Sequence, residues 1–259
     1  SARLFWLWFA ANSSIAAIVF GTIIFALGVS LRQAIVATLA GVALSFIPLG
    51  LGTLAGKRSG QPTMVISRAT FGVVGNILPA LLALFSRLFW AAALLWILGA
   101  GAADILSGAR LDGGFTNQQL TLIVMALGFV VAVVIAYFGY ALIAIAQLIV
   151  SIVSALSIIG FIALTAKYLD LGTALTTPDG PWILVITGAV LVFSFVGLAW
   201  ANSGAEVARY QRPGGSGVAS MLWATFGAAL PSFILIGYGA LLTASNHTLA
   251  HNIAADPLD

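Results

Sequence analysis

Polar and aromatic side chains lie at three positions where a lipid-crossing helix should be purely apolar. Trp200 stands nine residues before Arg209 in the run PWILVITGAVLVFSFVGLAWANSGAEVARYQRP, from Pro181 to Pro213. At about 1.5 Å per helical residue this is about 14 Å, near the middle of a ~30 Å hydrocarbon core. Trp90 stands eleven residues past Pro79, about 16 Å along its own helix. Asn12 lies nine residues after Arg3, again about 14 Å deep. Ser13 and Asn202 neighbour two of the three. A mid-depth aromatic beside amides, hydroxyls and glycine suggests a binding site, because unpaired polar groups in lipid cost several kcal/mol each, about as much as a lost hydrogen bond or more.

Catalytic chemistry finds no comparable support. Cysteine is absent, which removes disulfides, thiolate metal sites and thiol nucleophiles. Gly56-Lys57-Arg58-Ser59 suggests a phosphate loop, but Leu51 occupies the place of its first glycine and Arg58 that of its Ser or Thr. His247 and His251 are spaced to share a helix face, yet a structural metal site needs more ligands than two, so no metal is expected. Asn246-His247-Thr248 matches the glycosylation pattern, a frequent chance match. No nucleophile-base pair or dinucleotide fingerprint is present, and the protein is not expected to be an enzyme.

The elements that must position these residues are membrane spans. The 259 residues are 61% hydrophobic and 7% charged, with mean hydropathy +1.13, against roughly 25% charged in a soluble domain. The chain reads as an all-α integral membrane protein with seven spans. The first runs over Leu4–Val29 and the second from about Gln33 to Ala55, with Pro48, Gly50 and Gly52 loosening its end before Lys57 and Arg58. The third enters through Pro79 and ends around Asp104, carrying Arg87, Trp90 and Trp96. Leu120 to Thr165 is too long for one helix and divides at Tyr137-Phe138-Gly139-Tyr140 into a fourth and a fifth. The sixth starts at Trp182, and the seventh covers about Val218–Leu242 with a kink expected at Pro231. Apolar sequence begins by Leu4 without a basic leader, so no signal peptide is expected.

Basic residues orient the spans. With the amino terminus inside, Arg3, Lys57, Arg58, Arg68, Arg209 and Arg212 fall on the inner side and Arg32, Arg110 and Lys167 on the outer. The bias toward the inner side places the amino terminus in the cytoplasm and the tail outside a plasma membrane. The net charge of +3 and pI of 9.6 then report topology, and nucleic acid is not a partner. Gly52 and Gly56 are spaced for close helix packing.

Four motifs carry a resemblance. WFAANSS (Trp8 to Ser14), SRATFG (Ser67 to Gly72), the Pro79-to-Trp90 spacing and WANSGAEVARY (Trp200 to Tyr210) together resemble the nucleobase-cation symporter family, purine-cytosine permease type, over essentially the whole chain. Trp200, Glu206, Arg209 and Tyr210 stand at the spacing of the family's sixth helix, with Glu206 replacing the more usual Asp. The resemblance implies an inverted-repeat (five plus five) transporter fold with two extra helices, its first and sixth helices broken at the substrate site. Residues 1–170 would be the first five-helix repeat and 171–259 the start of the second, so the chain would be a fragment truncated to seven transmembrane helices.

The implied function is secondary active import of a nucleobase such as cytosine or a purine, or a related heterocycle, with Na+ or H+ by alternating access. No cofactor is implied beyond the coupling ion, whose site in relatives combines first-helix carbonyls with hydroxyls of an eighth helix not present here. Trp90 and Trp200 would stack on the flat base, each aromatic pair contributing about 0.5–1.5 kcal/mol beyond burial. Asn12, Ser13 and Asn202 would either pair with its edge or hydrogen-bond between helices. Glu206 counts to the inner interface, where an ion pair or gate with Arg68 or Arg209 is expected. Relatives often carry Gln or Asn one turn after the third-helix Trp, where this chain has Leu94. That departure leaves a competing reading: a non-transporting, degenerate or truncated membrane relative with a structural or assembly role.

Overall fold

The computed structural model describes residues 2–14, 16–212, 214–246 and 248, and all regular structure among them is helical. The His247–His251 pair falls outside the described residues. Six helices are long and apolar enough to cross a membrane, and a bent pair makes a seventh. The described residues fall into two compact units, one formed by the chain up to Ala69 and from Gln147 onward, the other by Thr70–Ala146.

In the first unit the opening span is two helices, α1 (Ala2–Asn12) and α2 (Ala16–Ala26), meeting at a bend of 63°. The second span is α3 (Leu31–Ser59), opened by a capping box in which Ser30 and Gln33 satisfy each other's backbone N–H groups. It runs on through Pro48 to Gly60, past the end expected at Ala55. Gly60 stops it by turning left-handed at φ +68°, its N–H bonded to the Gly56 carbonyl. Gly50 and Gly52 loosen nothing. A Cβ at Gly50 would stand 2.2 Å from Thr225 Oγ1, and one at Gly52 3.3 Å from the Ala201 carbonyl, so both serve close packing. A short helix follows, α4 (Thr63–Ile66).

The sixth span does not stay α-helical. Ahead of it lies α9 (Leu171–Ala174), a single turn capped by Asp170. The span starts as α10 (Trp182–Val192), opens into a π-helical turn at Phe193–Gly197, tightens to a 3₁₀ stretch at Leu198–Ser203 and ends as α11 (Gly204–Ala208). The last long helix is α12 (Gly217–Ser245), capped by Ser216 and continuous through Pro231. α12 packs on α1, α2 and α3, while α10 and α11 pack on the other side of α3. Trp8, Phe46, Ile24, Leu235 and Ile236 fill the space between them.

Small residues set those distances. A Cβ on Gly21 would stand 2.0 Å from the Ile236 carbonyl, one on Gly239 2.0 Å from the Ile18 carbonyl, and one on Gly56 2.4 Å from Ala205 Cα. Backbones this close exclude side chains larger than hydrogen. The fifth span, α8 (Tyr140–Thr165), is joined to this unit by Ser151 Oγ donating to the Trp6 carbonyl at 2.5 Å and by a 2.6 Å contact between Thr165 Oγ1 and Tyr238 OH.

The second unit holds α5 (Arg68–Gly75), which enters it across a kink at Gly72, and the antiparallel pair α6 (Ile77–Gly108) and α7 (Asn117–Phe138). A Cβ on Gly99 would meet the Thr121 carbonyl at 2.7 Å, so this pair also closes on glycine. α6 extends four residues past the end expected at Asp104, which instead accepts a 3.0 Å hydrogen bond from Asn117 Nδ2. The expected turn between the fourth and fifth spans is a single residue, Gly139, at φ +77°.

Candidate functional site

The first unit brings the two interrupted spans together. α1 ends at Asn12, leaving its last carbonyls without the N–H groups that a further turn would supply. Two side chains reach back to carbonyls of this last turn. Asn12 Nδ2 donates to the Trp8 carbonyl at 3.0 Å, and Ser13 Oγ donates to the Phe9 carbonyl at 2.5 Å. Ser14 Oγ accepts from the Ala16 N–H at 3.3 Å, starting α2. Both Asn12 and Ser13 are buried. These donations leave Asn12 Oδ1 and the Ser13 oxygen lone pairs able to accept.

Across the break stands Trp200, half-buried on the 3₁₀ stretch of the sixth span. Its ring meets Trp8 edge to face, with centroids 5.8 Å apart and planes at 79°. Trp8 is 2% exposed, and its indole Nε1 is buried without a hydrogen-bond partner among the described residues. Trp8 belongs to the opening motif of the sequence, one helical turn before Asn12, yet counting depth from Arg3 passes over it. The 3.6-residue spacing to Asn12 was the signal that could have found it.

Asn202 and Glu206 turn elsewhere. The Asn202 carbonyl accepts from Thr63 Oγ1 at 2.8 Å, and Ser203 Oγ lies 3.4 Å from Asn202 Oδ1. Glu206 Oε1 accepts the backbone N–H of Thr63 at 3.2 Å. A carboxylate is thus placed at the first N–H groups of α4, whose N-cap, Pro62, offers no side-chain acceptor. The guanidinium partner expected for Glu206 is absent from these contacts. Arg209 Nη2 donates to Tyr210 OH at 2.7 Å and its guanidinium lies 4.7 Å from the Tyr210 ring, while Arg68 is exposed. A backbone N–H closer than either cation takes the carboxylate.

Trp90 lies in the second unit, half-buried on α6 with Phe89 edge-on at 5.6 Å. Leu94, one turn on, is exposed. An open cavity of about 440 Å³ lies at the far end of this pair, lined by residues including Trp96, Asp104, Asn117 and Met125. None of the residues expected to bind substrate lines it.

A family model described as permease for cytosine/purines, uracil, thiamine, allantoin matches residues 1–259. The chain belongs to this permease family. Among its relatives is a putative purine-cytosine permease of Bacillus subtilis strain 168, YxlA, 32% identical over 253 residues, covering 93% of this chain and 50% of the relative. The fold is that of Mhp1, a nucleobase-cation-symport-1 family transporter solved in a closed conformation with bromovinylhydantoin bound. The two match at TM-score 0.73 and 22% identity, over 98% of this chain and 57% of that one. The chain thus spans about half the length of the family members it matches. As a member of this family it is a multi-pass membrane protein, and the interruptions expected in its first and sixth helices are the bend after Asn12 and the π and 3₁₀ segments around Trp200.

Proposed function

We propose that the protein to which this chain belongs imports a nucleobase or related heterocycle across the plasma membrane by alternating access, coupled to Na+ or H+. The observation that carries this reading is the meeting of the two interrupted spans at Trp8 and Trp200 in a chain of the permease family. Interrupted helices expose backbone groups and dipole ends at mid-membrane, where a substrate or ion otherwise finds only hydrocarbon.

In this reading Trp200 offers an aromatic face to the ligand, and Trp90 is a stacking residue that the family resemblance assigns to the third span. Asn12 Oδ1 and Ser13 Oγ accept ring N–H groups, and Asn202 supplies a further amide. Trp8 fixes the Trp200 plane from behind. Leu94 gives this ligand an apolar neighbour where a polar one is common, which favours a heterocycle with fewer edge contacts than cytosine. The relative with bromovinylhydantoin bound makes hydantoin-like rings a reasonable second panel. Glu206 anchors α4 through the Thr63 N–H and, with Arg209 three residues on and Arg68 five residues past Thr63, belongs to an inner gate.

Uptake of radiolabelled cytosine tests this, in cells lacking their own permeases and expressing the natural-length protein, with adenine, hypoxanthine, uracil and hydantoins as competitors. Saturable uptake reduced about tenfold or more by Trp90→Ala and by Trp200→Ala is expected, since each loses a stacked aromatic face and its buried area. Correct membrane insertion with no uptake of any heterocycle in the panel would reject transport in favour of a structural or assembly role.

A further inference from the structure

Two helices of the first unit bring their ends together in the headgroup layer. α3 and α12 each run 29 residues, about 43 Å at ~1.5 Å per residue, which matches the ~40–45 Å of a bilayer with its headgroups. Their ends therefore stand at the level of lipid phosphates. The end of α3 lies against the start of α12: a Cβ on Gly217 would stand 2.8 Å from Leu54 Cδ1 and 3.8 Å from Arg58 Nε, and one on Gly215 3.9 Å from Lys57 Cε. Lys57 Nζ donates to the Arg212 carbonyl, which also accepts the Gly215 N–H at 3.1 Å. Three cationic residues, Lys57, Arg58 and Arg212, thus belong to one helix junction.

Their charge is not answered from within the chain. Residues 54–69 and 198–220, the segments that meet here, hold five basic residues and a single acid, Glu206, whose Oε1 is occupied by the Thr63 N–H. Among the described residues the one ion pair is Arg32–Asp179, at the opposite end of α3. Arg58 and Arg212 are exposed, and neither makes a hydrogen bond or ion pair to any described residue. Arg32 is also exposed, yet it carries a two-point contact to its carboxylate. Like charges sharing one junction repel, and an anion from outside the chain relieves that repulsion.

The depth of the junction decides which anion that is. At the headgroup level the abundant anion is lipid phosphate, and basic clusters beside a membrane helix attract acidic phospholipids through each Lys and Arg. Guanidinium groups suit this partner, because their planar N–H donors meet two phosphate oxygens at once. A zwitterionic lipid sets its own ammonium beside the phosphate, where three cations already stand. An acidic phospholipid brings net negative charge instead, and charge complementarity selects it.

We infer that the junction of α3 with α12 binds the headgroup of an acidic phospholipid, with Arg58 and Arg212 holding its phosphate and Lys57 adding charge. The site is independent of the transported substrate and of which leaflet it faces. A bound headgroup clamps the end of α3 to the start of α12, at the end of the unit where Glu206 holds α4. Acidic lipid should therefore stabilise the protein as well as bind it.

The test is lipid binding by the purified natural-length protein in detergent, read by native mass spectrometry and by thermal unfolding. The probes are phosphatidylglycerol, phosphatidylcholine and water-soluble glycerol 1-phosphate. Arg58→Gln/Arg212→Gln removes the charges, Arg58→Lys/Arg212→Lys keeps them, and Arg110→Gln/Lys167→Gln removes two exposed cations elsewhere as a control. Neither Arg58 nor Arg212 bonds to a described residue, so the variants should fold, and their size-exclusion profiles check it. Wild type should bind phosphatidylglycerol about tenfold or more tightly than phosphatidylcholine and unfold at a higher temperature with it. The glutamine pair should weaken that binding about tenfold or more, at about fivefold per cation, while the lysine pair and the control stay within about threefold of wild type. Equal phosphatidylglycerol binding by wild type and the glutamine pair would overturn the site, as would equal binding of the two lipids by wild type. An equal loss in the control would overturn it in favour of net charge alone. Glycerol 1-phosphate binding as tightly as phosphatidylglycerol would overturn the lipid as occupant and leave a free phosphate.

Discussion

Single side chains do the joining where the second and sixth spans meet at their ends. Gln33, 1% exposed, donates from Nε2 to the Gly180 carbonyl at 2.8 Å, and its Oε1 accepts from the N–H groups of Gly180 and Ser30 at 2.9 and 3.1 Å. Next to it Asp179 takes Arg32 in a two-point ion pair, at 2.9 and 2.5 Å, and a 2.6 Å hydrogen bond from Ser30 Oγ. The two contacts should differ in value. Gln33→Ala strands buried backbone groups and should lower stability by about 1–3 kcal/mol, whereas Arg32→Ala breaks an exposed pair and should change little; thermal unfolding in detergent separates them. Arg32's hydrogen bonds, then Ser30's, hold the Asp179 carboxyl below the usual carboxylate range. A carboxylate with a lowered folded pKa stabilises fully above its unfolded pKa of about 4, and that contribution disappears as pH falls through the folded value. Wild type should therefore lose unfolding temperature below about pH 4 more steeply than Asp179→Asn. Parallel curves would show that the pair contributes nothing.

At the scale of elements, glycine decides which helices can touch. Gly239 and Gly237 lie two residues apart on α12 and present opposite cases. A Cβ at Gly239 would stand 2.0 Å from the Ile18 backbone carbonyl, whereas one at Gly237 would meet only Ile35 Cδ1, at 3.4 Å. Gly239→Ala should therefore push α2 away from α12 and lower stability by about 1–3 kcal/mol, while Gly237→Ala should be neutral or slightly stabilising through better helix propensity. Equal melting of the two variants would mean that the α2–α12 approach is looser than this. The spans themselves were legible in the sequence, because each apolar run ends at a Ser, Thr or Gly cap or a charged residue. Their interruptions were less so. α1, α2 and the π turn are largely apolar, with Arg3, Thr22 and Ser194 the exceptions besides Asn12 to Ser14, and hydropathy cannot tell an interrupted helix from a continuous one; family resemblance supplied that expectation. The role of Glu206 was not legible, because its partner Thr63 lies 143 residues away in the chain. Depth counting passed over Trp8, which meets Trp200 across the break and is recognised only through what it faces.

For the whole molecule, the contacts of the first unit impose a parity on the chain. The start of α3 meets Asp179 and Gly180, just before the sixth span. The end of α3 meets the segment at the far end of that span, Lys57 Nζ donating to the Arg212 carbonyl, with Thr63 on Asn202 and Glu206 close by. Segments 28–30 and 175–181 therefore share one side of the membrane, and 57–63 and 209–216 share the other. From the distribution of Lys and Arg we propose that the side carrying Lys57, Arg58, Arg68, Arg209 and Arg212 is the cytoplasmic one. These 259 residues contain no cysteine, so within them an introduced thiol is the sole target of a thiol reagent. Thr176→Cys, between the fifth and sixth spans, should be labelled by a membrane-impermeant maleimide in intact cells. Ser59→Cys, exposed at the end of α3, should be labelled only after permeabilisation. The reverse pattern would invert the orientation while keeping the fold, and labelling of both in intact cells would contradict the parity that the α3 contacts require.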